Sequence, residues 1–450
     1  MMTAIGVLLF VVGLAFSIWF HELGHFLWAR RFGMRVTQFM VGFGPTLWSR
    51  QIGETEHGVK AIPLGGYIRI VGMMPPGAED MAGRKVGRVR RLVEEVRGAS
   101  LLDIRPGDGD RVFYRKSWWQ RVIVMSAGPV HNLVLAFILF TIILVGFGLR
   151  TPTTTVEAVS ECVLPATASA EATCTTPVDE TGALCETGPG CAVPIPSPAR
   201  EAGFRNGDEI LAVDGRPLED WQSVQTVIRD SPNEELSVTV LRDGREQTLT
   251  VTPLPNRVYA GNDPENPEVV TVGFLGLSPD QVYVPQPVSS VPGQVGSFIV
   301  TAAEKLIGIP ERIPQLFRAA FLGEERDING PIGIVGVGRI SGEFFGLPPE
   351  TAPIQEKFSF FLALLASLNM VLFLFNLVPL YPLDGGHVAG ALWEKARSVV
   401  ARARRKPDPG PFDTARLMPV AYVVASVFIV LSGLLLVADI INPITLDQLQ

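Results

Sequence analysis

His21, Glu22 and His25 stand near the end of an apolar run, and from Ala4 to Trp28 they are the only ionisable side chains. Residues four apart share a helical face, so His21 and His25 can hold one metal ion while Glu22 stands beside it as a base toward water. Ionisable groups inside a membrane span are costly, and they mark function by default. The competing reading is a chance His-x-x-x-His on a soluble core helix, which would leave the three groups unpaired in apolar surroundings.

A second polar position lies far away in the chain. Asn376-Leu377-Val378-Pro379-Leu380-Tyr381-Pro382-Leu383-Asp384-Gly385-Gly386-His387 ends another apolar run. Its prolines break the helix, its glycine pair permits a tight turn, and Asp384 is thereby held at membrane depth. The carboxylate serves either as a further ligand to the same ion or as a cap for the helix that follows. Ala127-Gly128-Pro129-Val130-His131-Asn132 opens a third apolar run, where Gly128 permits close helix approach and Asn132 can hydrogen-bond to a neighbouring helix. His131 has no second ligand at suitable spacing, so packing is the preferred role over metal binding.

The elements that must position these groups follow from composition. Of 450 residues, 47% are hydrophobic and only 18% charged, and a mean hydropathy of +0.29 points to a membrane protein. The net charge of -7 and the lack of a basic stripe argue against nucleic-acid binding. Four segments reach the length a helix needs to cross a bilayer: Thr3 to Ala29, Val122 to Leu149, Phe358 to Leu380 and Leu417 to Ile440. The first has neither a basic leader nor a small-residue cleavage site and reads as a retained span.

Basic residues then set the orientation. Arg84, Lys85, Arg88, Arg90 and Arg91 lie between the first two spans, and Lys395, Arg397, Arg402, Arg404, Arg405 and Lys406 lie between the last two. Both regions are expected in the cytoplasm by the positive-inside rule. Both termini and the large segment from Arg150 to Lys357 then lie outside, and the His21 and Asp384 motifs share the cytoplasmic end of the bilayer.

After the first span, Val41-Gly42-Phe43-Gly44-Pro45 and Pro63 to Ile70 read as short strands joined by tight turns. The pattern suits a β-loop dipping into the membrane and a small cytoplasmic hairpin equally well. Gly77 to Asp110 reads as a solvated loop, and His57 as a surface histidine. Outside the membrane, Ser197 to Gly215 reads as a short helix, a Gly-Asp turn and a strand, followed by a helix over Asp220 to Arg229. Strands Leu236 to Arg242 and Glu246 to Thr252 are joined by Asp243-Gly244, a strong hairpin signal. This order resembles a circularly permuted bacterial PDZ domain, a module that captures peptides by strand addition. A small spacer without a ligand is the plainer alternative.

All four cysteines, Cys162, Cys174, Cys185 and Cys191, fall just before that helix. Two disulfides closing an insertion are favoured over a zinc knuckle, since the paired C-x2-C spacing is missing; the spacing leaves all three pairings open. From Val288 to Phe321 a helical pattern with Pro310 and Pro314 suits a surface helix. Gly330 to Gly336 is glycine-rich but lacks the ending of a phosphate loop.

Together the His21-Glu22-x-x-His25, Gly128-Pro129-x-x-Asn132 and Asn376 to Gly385 motifs resemble the site-2 protease family of intramembrane zinc metalloproteases (M50 type), in its bacterial branch with one PDZ domain. Gly66-Tyr67-Ile68-Arg69 and Gly330-Pro331-Ile332-Gly333 extend the resemblance along nearly the whole chain. The cysteine-bearing insertion departs from the pattern.

The resemblance implies a multi-pass α-helical membrane protein with four transmembrane helices, a re-entrant β-loop and an extracytoplasmic α+β PDZ domain. It divides the chain into a membrane half over 1–150, a PDZ-like domain over 151–256 with its insertion at 162–191, a linker and surface helix over 257–357, and a second membrane half over 358–450. It makes His21, His25 and Asp384 ligands to Zn2+, Glu22 the general base, and Asn376, Gly66, Tyr67 and Ile68 contacts to the substrate backbone. Implied substrates are single-pass membrane proteins, such as anti-sigma factors already cut outside the membrane, with peptide C-termini at the PDZ domain. A silent PDZ-bearing scaffold and a metal transporter are the rival classes; a transporter would be expected to show internal repeats, and none is found.

Overall fold

Among the described residues of the computed structural model, four helices are long and apolar enough to cross a membrane: Met2–Arg31, Trp118–Phe147, Ile354–Leu377 and Thr414–Ile441. The structure describes residues 2–76, 88–164, 168–169, 171–179, 182–186, 190–260, 268–328 and 330–448. These fall into two units, Met1–Phe147 with Gln286–Gln450, and Gly148–Pro285.

The first unit begins with α1 (Met2–Arg31), followed by the antiparallel strands β1 (Val36–Ile52) and β2 (Thr55–Ile70). The strands are far longer than the short segments expected, because glycines that read as strand ends instead let each strand bend. Met40 pairs with Tyr67 on one side and Gly58 on the other, while Ser49 also pairs with Gly58. The two strands thus fold into four adjacent segments, with 66–70 at one edge. Phe39 and Val41 are buried with Phe10, Leu14 and Ile18 of α1. The far end exposes Phe43, Leu47, Trp48 and Ile62.

The loop expected over Gly77 to Asp110 contains α2 (Arg88–Leu101) instead; its 77–87 portion, with Arg84 and Lys85, lies outside the described residues. Arg97 is buried in α2 and pairs with Asp413 at 2.7 Å, so this region packs on the protein where free loop was anticipated. His57 is likewise no free surface residue, since its ring lies 5.4 Å from Phe26 and 5.2 Å from Phe39. α3 (Trp118–Thr141) starts at a Ser117–Gln120 capping box, which satisfies its first amides. Arg121 near its start pairs with Glu394.

The second unit is a sheet in the order β10-β3-β4-β6-β7. Its elements are β3 (Leu149–Val159), α4 (Pro198–Glu201), β4 (Glu209–Val213), β5 (Arg216–Pro217), α5 (Trp221–Asp230), β6 (Leu236–Arg242), β7 (Arg245–Val251), β8 (Leu254–Ala260), β9 (Glu268–Phe274) and β10 (Leu277–Val284). Asp220 caps α5 by accepting from the Ser223 amide at 2.7 Å. The core collects Val156, Phe204, Ile210, Trp221, Val224, Val238 and Val240. Cys162 is bonded to Cys174 and Cys185 to Cys191.

The linker expected over 257–357 is corrected in both its parts. β10 pairs with β3, and β9 with β8, so the chain up to Pro285 belongs to the sheet unit. Beyond it lie α6 (Val291–Ile307), α7 (Ile309–Phe321) and α8 (Ile334–Gly346) of the first unit. Val291 and Val295 of α6 are buried with Ala136 of α3 and Met370 further on, so the expected surface helix is surface only in part.

α8 packs tightly on α1, where a Cβ on Gly6 would meet the Ser341 carbonyl oxygen at 2.6 Å. α9 (Ile354–Leu377) stops three residues short of the expected Leu380, because a residue preceding proline is driven out of helical geometry, here Val378 before Pro379. α10 (Asp384–Ala403) and α11 (Met418–Ile441) complete the unit. Asn369, fully buried in α9, donates to Ser17 Oγ of α1 at 2.8 Å and so joins two apolar helices by a polar bond.

Candidate metal centre and peptide cavity

Three elements converge at the His21 and Asp384 motifs identified from the sequence. His21 and His25 occupy one face of α1, one helical turn apart, and α10 begins at Asp384 directly after the proline break. His21 Nε2 and His25 Nε2 are 3.2 Å apart, and each lies 3.2 Å from Asp384 Oδ2. Asp384 Oδ2 is buried and has no hydrogen-bond donor. Capping of α10 by Asp384 is thus not its role, since no side-chain cap is formed there.

This arrangement fits a tetrahedral cation. Zinc bonds of about 2.0–2.1 Å separate neighbouring donors by about 3.3 Å, close to the spacing seen. Among the described residues, His21, His25 and Asp384 form the one group of three suited to a metal.

Helix α3 holds both imidazoles from behind. His25 Nδ1 lies 2.7 Å from the Val124 carbonyl oxygen, to which it donates, so the lone pair of the ring is on Nε2. Asn132, with no solvent exposure, lies with its amide 3.2 Å from His21 Nδ1. Its Oδ1 has no partner as placed; exchanging the amide's O and N lets it accept from His21 Nδ1–H. Glycine is required at 128, where a Cβ would sit 2.1 Å from His25 Nε2. His131 takes the packing role, with Nδ1 2.8 Å from the Ala127 carbonyl and its ring 5.0 Å from Phe20.

Over the three donors lies a cavity of about 310 Å³ lined in part by Glu22, Gly66, Tyr67, Ile68, Asn376 and His387. Every position singled out from the sequence for chemistry or substrate contact is therefore at one site. Strand β2 passes so close to α1 that a Cβ on Gly66 would meet Glu22 Cγ at 2.9 Å. Asn376 Nδ2 donates to Leu372 O at 3.0 Å, which leaves its carbonyl and second amide hydrogen for another group. His387 went unremarked in the sequence reading, although it follows Asp384 by three residues. The close helix approach read at Gly128 is made against His25 of α1, while the steric role of Gly66 went unseen, because nothing in one sequence names the neighbours of a glycine.

The sequence matches peptidase family M50 over residues 9–407. The chain belongs to peptidase family M50. It is 35% identical to the zinc metalloprotease Rip1 of Mycolicibacterium smegmatis over 463 residues, covering 100% of both chains. It is 26% identical to the zinc metalloprotease RasP of Geobacillus kaustophilus, covering 84% of this chain and 87% of the relative. Against the regulator of sigma-E protease RseP of Salmonella typhimurium it is 27% identical, covering 96% and 97%. As an M50 member the chain is a membrane zinc metalloendopeptidase of the site-2 protease type.

Proposed function

We propose that this metallopeptidase hydrolyses peptide bonds within the transmembrane segments of single-pass membrane proteins. The observation that carries the reading is the convergence of His21 and His25, on a helix fit to span a bilayer, with Asp384 at 3.2 Å spacing beneath a cavity that also holds Glu22. His21, His25 and Asp384 hold the zinc. When bound, the metal supplies a Lewis acid that lowers the pKa of a ligated water toward about 7.

Glu22 takes the proton of the attacking water and delivers it to the departing amine nitrogen. An intact helix conceals its carbonyls, so the substrate has to unwind to react. Segment 66–70 is an edge of the folded β1–β2 sheet and lines the cavity through Gly66, Tyr67 and Ile68. There it pairs with the unwound substrate as an added strand, and Asn376 holds the substrate backbone with its remaining amide groups. The apolar far end of β1–β2, with Phe43, Leu47 and Trp48 exposed, favours a membrane re-entrant loop over a water-exposed hairpin.

Basic residues on both connections support a cytoplasmic-side site, with both termini and the second unit outside. The helix–turn–strand order and the helix α5 support a PDZ domain there. β10 terminates its sheet and follows the Gly276 turn, with φ +85, a place where the C-terminus of an already trimmed substrate can be added as a strand. Anti-sigma factors first cut outside the membrane are a substrate class of this kind.

The test is incubation of the purified protein with a synthetic transmembrane peptide, with and without a zinc chelator. Cleavage that stops with the chelator and returns with zinc is expected. Cleavage indifferent to the chelator contradicts the reading.

A further inference from the structure

Peptide hydrolysis places a negative charge on the scissile carbonyl oxygen, and preorganised hydrogen-bond donors at that point are among the strongest catalytic devices. Glu22, as a base, cannot be such a donor. Of the other polar side chains on the cavity, Tyr67 turns its ring to Phe43 at 6.3 Å and Lys60 at 5.9 Å. Asn376 has spent one amide hydrogen on Leu372 O.

His387 is different. It stands three residues after Asp384 on α10, so the two share a helical face. Its ring lines the cavity, and its Nδ1 is 3.0 Å from the hydroxyl of Tyr381. Tyr381 is buried, and a buried phenol needs an acceptor for its proton. Nδ1 of His387 is that acceptor, which puts the imidazole proton on Nε2. No partner engages Nε2 among the described residues.

We propose that His387 is a catalytic hydrogen-bond donor to the oxyanion, and that Tyr381 is a positioning residue that fixes its tautomer. As water adds, its oxygen bonds to the scissile carbon, the carbonyl π pair moves onto oxygen, and one proton passes to Glu22. His387 Nε2–H donates to that oxygen without losing its proton. On collapse the carbonyl re-forms, the C–N bond breaks with its pair on nitrogen, and the proton held by Glu22 goes to the amine. The donor rests on the hydrolytic reading above.

The experiment uses the full chain, purified in detergent with zinc, as wild type, His387→Ala, His387→Gln and Tyr381→Phe. Zinc per chain, kcat, KM and affinity for a phosphonamidate version of the peptide, which carries a tetrahedral anion, are measured together. Affinity for the unmodified peptide is measured in a Glu22→Gln background.

For His387→Ala, zinc content and peptide affinity stay at wild-type levels while kcat and phosphonamidate affinity fall about 10²–10³-fold. His387→Gln, which keeps an N–H donor, recovers at least about tenfold of both, and Tyr381→Phe loses kcat with zinc retained. An unchanged kcat in His387→Ala, loss of zinc, or equal weakening of peptide and phosphonamidate overturns the proposal. Continued cleavage by Glu22→Gln alone would instead overturn the hydrolytic roles, whatever His387 does.

Discussion

Gly128 lies directly against the imidazole of His25: a Cβ there would stand 2.1 Å from Nε2, the nitrogen facing His21 and Asp384. A histidine pinned on its other side by Val124 O has nowhere to retreat. Gly128→Ala is expected to lower zinc affinity by at least about tenfold, the scale seen when the support of a ligand is lost. Zinc retention during dialysis against graded chelator measures it, and wild-type retention would show that the ring has room to move.

Asn132 supports the other imidazole. It is fully buried and reaches His21 Nδ1 at 3.2 Å from a helix that shares no sequence proximity with it. Replacing it by Leu keeps the volume and removes the hydrogen bond. Zinc affinity or kcat is expected to fall about 10–100-fold, while Asn132→Asp, which keeps an acceptor, loses less. Chelator competition on both variants gives the comparison, and equal loss in the two would assign Asn132 to packing alone.

In the second unit, Arg242 grips Asp208 through Nε at 2.7 Å and Nη2 at 2.6 Å, and the Arg205 amide donates to the same carboxylate at 2.8 Å. Burial pushes the Asp208 carboxyl up, but these donors prevail and hold it below its ordinary value. A depressed carboxyl contributes stability that is complete above the unfolded pKa of about 3.9 and is lost as pH falls through the folded value. The protection of the Glu209–Val213 amides, measured as exchange relative to the intrinsic rate at each pH, is expected to be high at neutral pH and to fall below about pH 4. In Asp208→Asn, which leaves Arg242 without its carboxylate, protection is lower at neutral pH and depends less on acid. An acid response identical in wild type and variant would remove Asp208 from the account.

The glycine stretch that lacked a phosphate-loop ending has a partner inside the protein. Asp439 accepts from the amides of Gly336 at 2.7 Å and Gly333 at 3.3 Å, and pairs with Arg326 at 2.8 Å. It thereby caps α8 from α11. Both members of the pair are buried, so Asp439→Ala strands Arg326 and is expected to cost about 3–5 kcal/mol. The yield of monodisperse protein in detergent and its thermal midpoint report this loss; an unchanged midpoint would contradict it.

The four spans were legible because length and apolarity alone decide them. His21, Glu22 and His25 were legible because charge in such a run demands a purpose, and Asp384 because the prolines beside it pin it at membrane depth. Strand extent was not legible: Gly42, Gly44, Gly65 and Gly66 read as punctuation, whereas they allow β1 and β2 to bend and pass beside Glu22. Nor was the union of β10 with β3, since their pairing joins Leu277 to Val159 across the whole intervening domain. His387 escaped notice because its meaning depends on the Tyr381 hydroxyl, a contact made only once Pro379 and Pro382 have turned the chain.

Where the peptide is cut tests the central claim most directly. A single-pass substrate reconstituted with the protein in lipid vesicles is cleaved and its products are mapped by mass spectrometry, beside a Glu22→Gln variant of confirmed zinc content. The account predicts a cut inside the transmembrane segment with wild type and none with Glu22→Gln. Cleavage confined to residues outside the bilayer, or persisting in the variant, would contradict it.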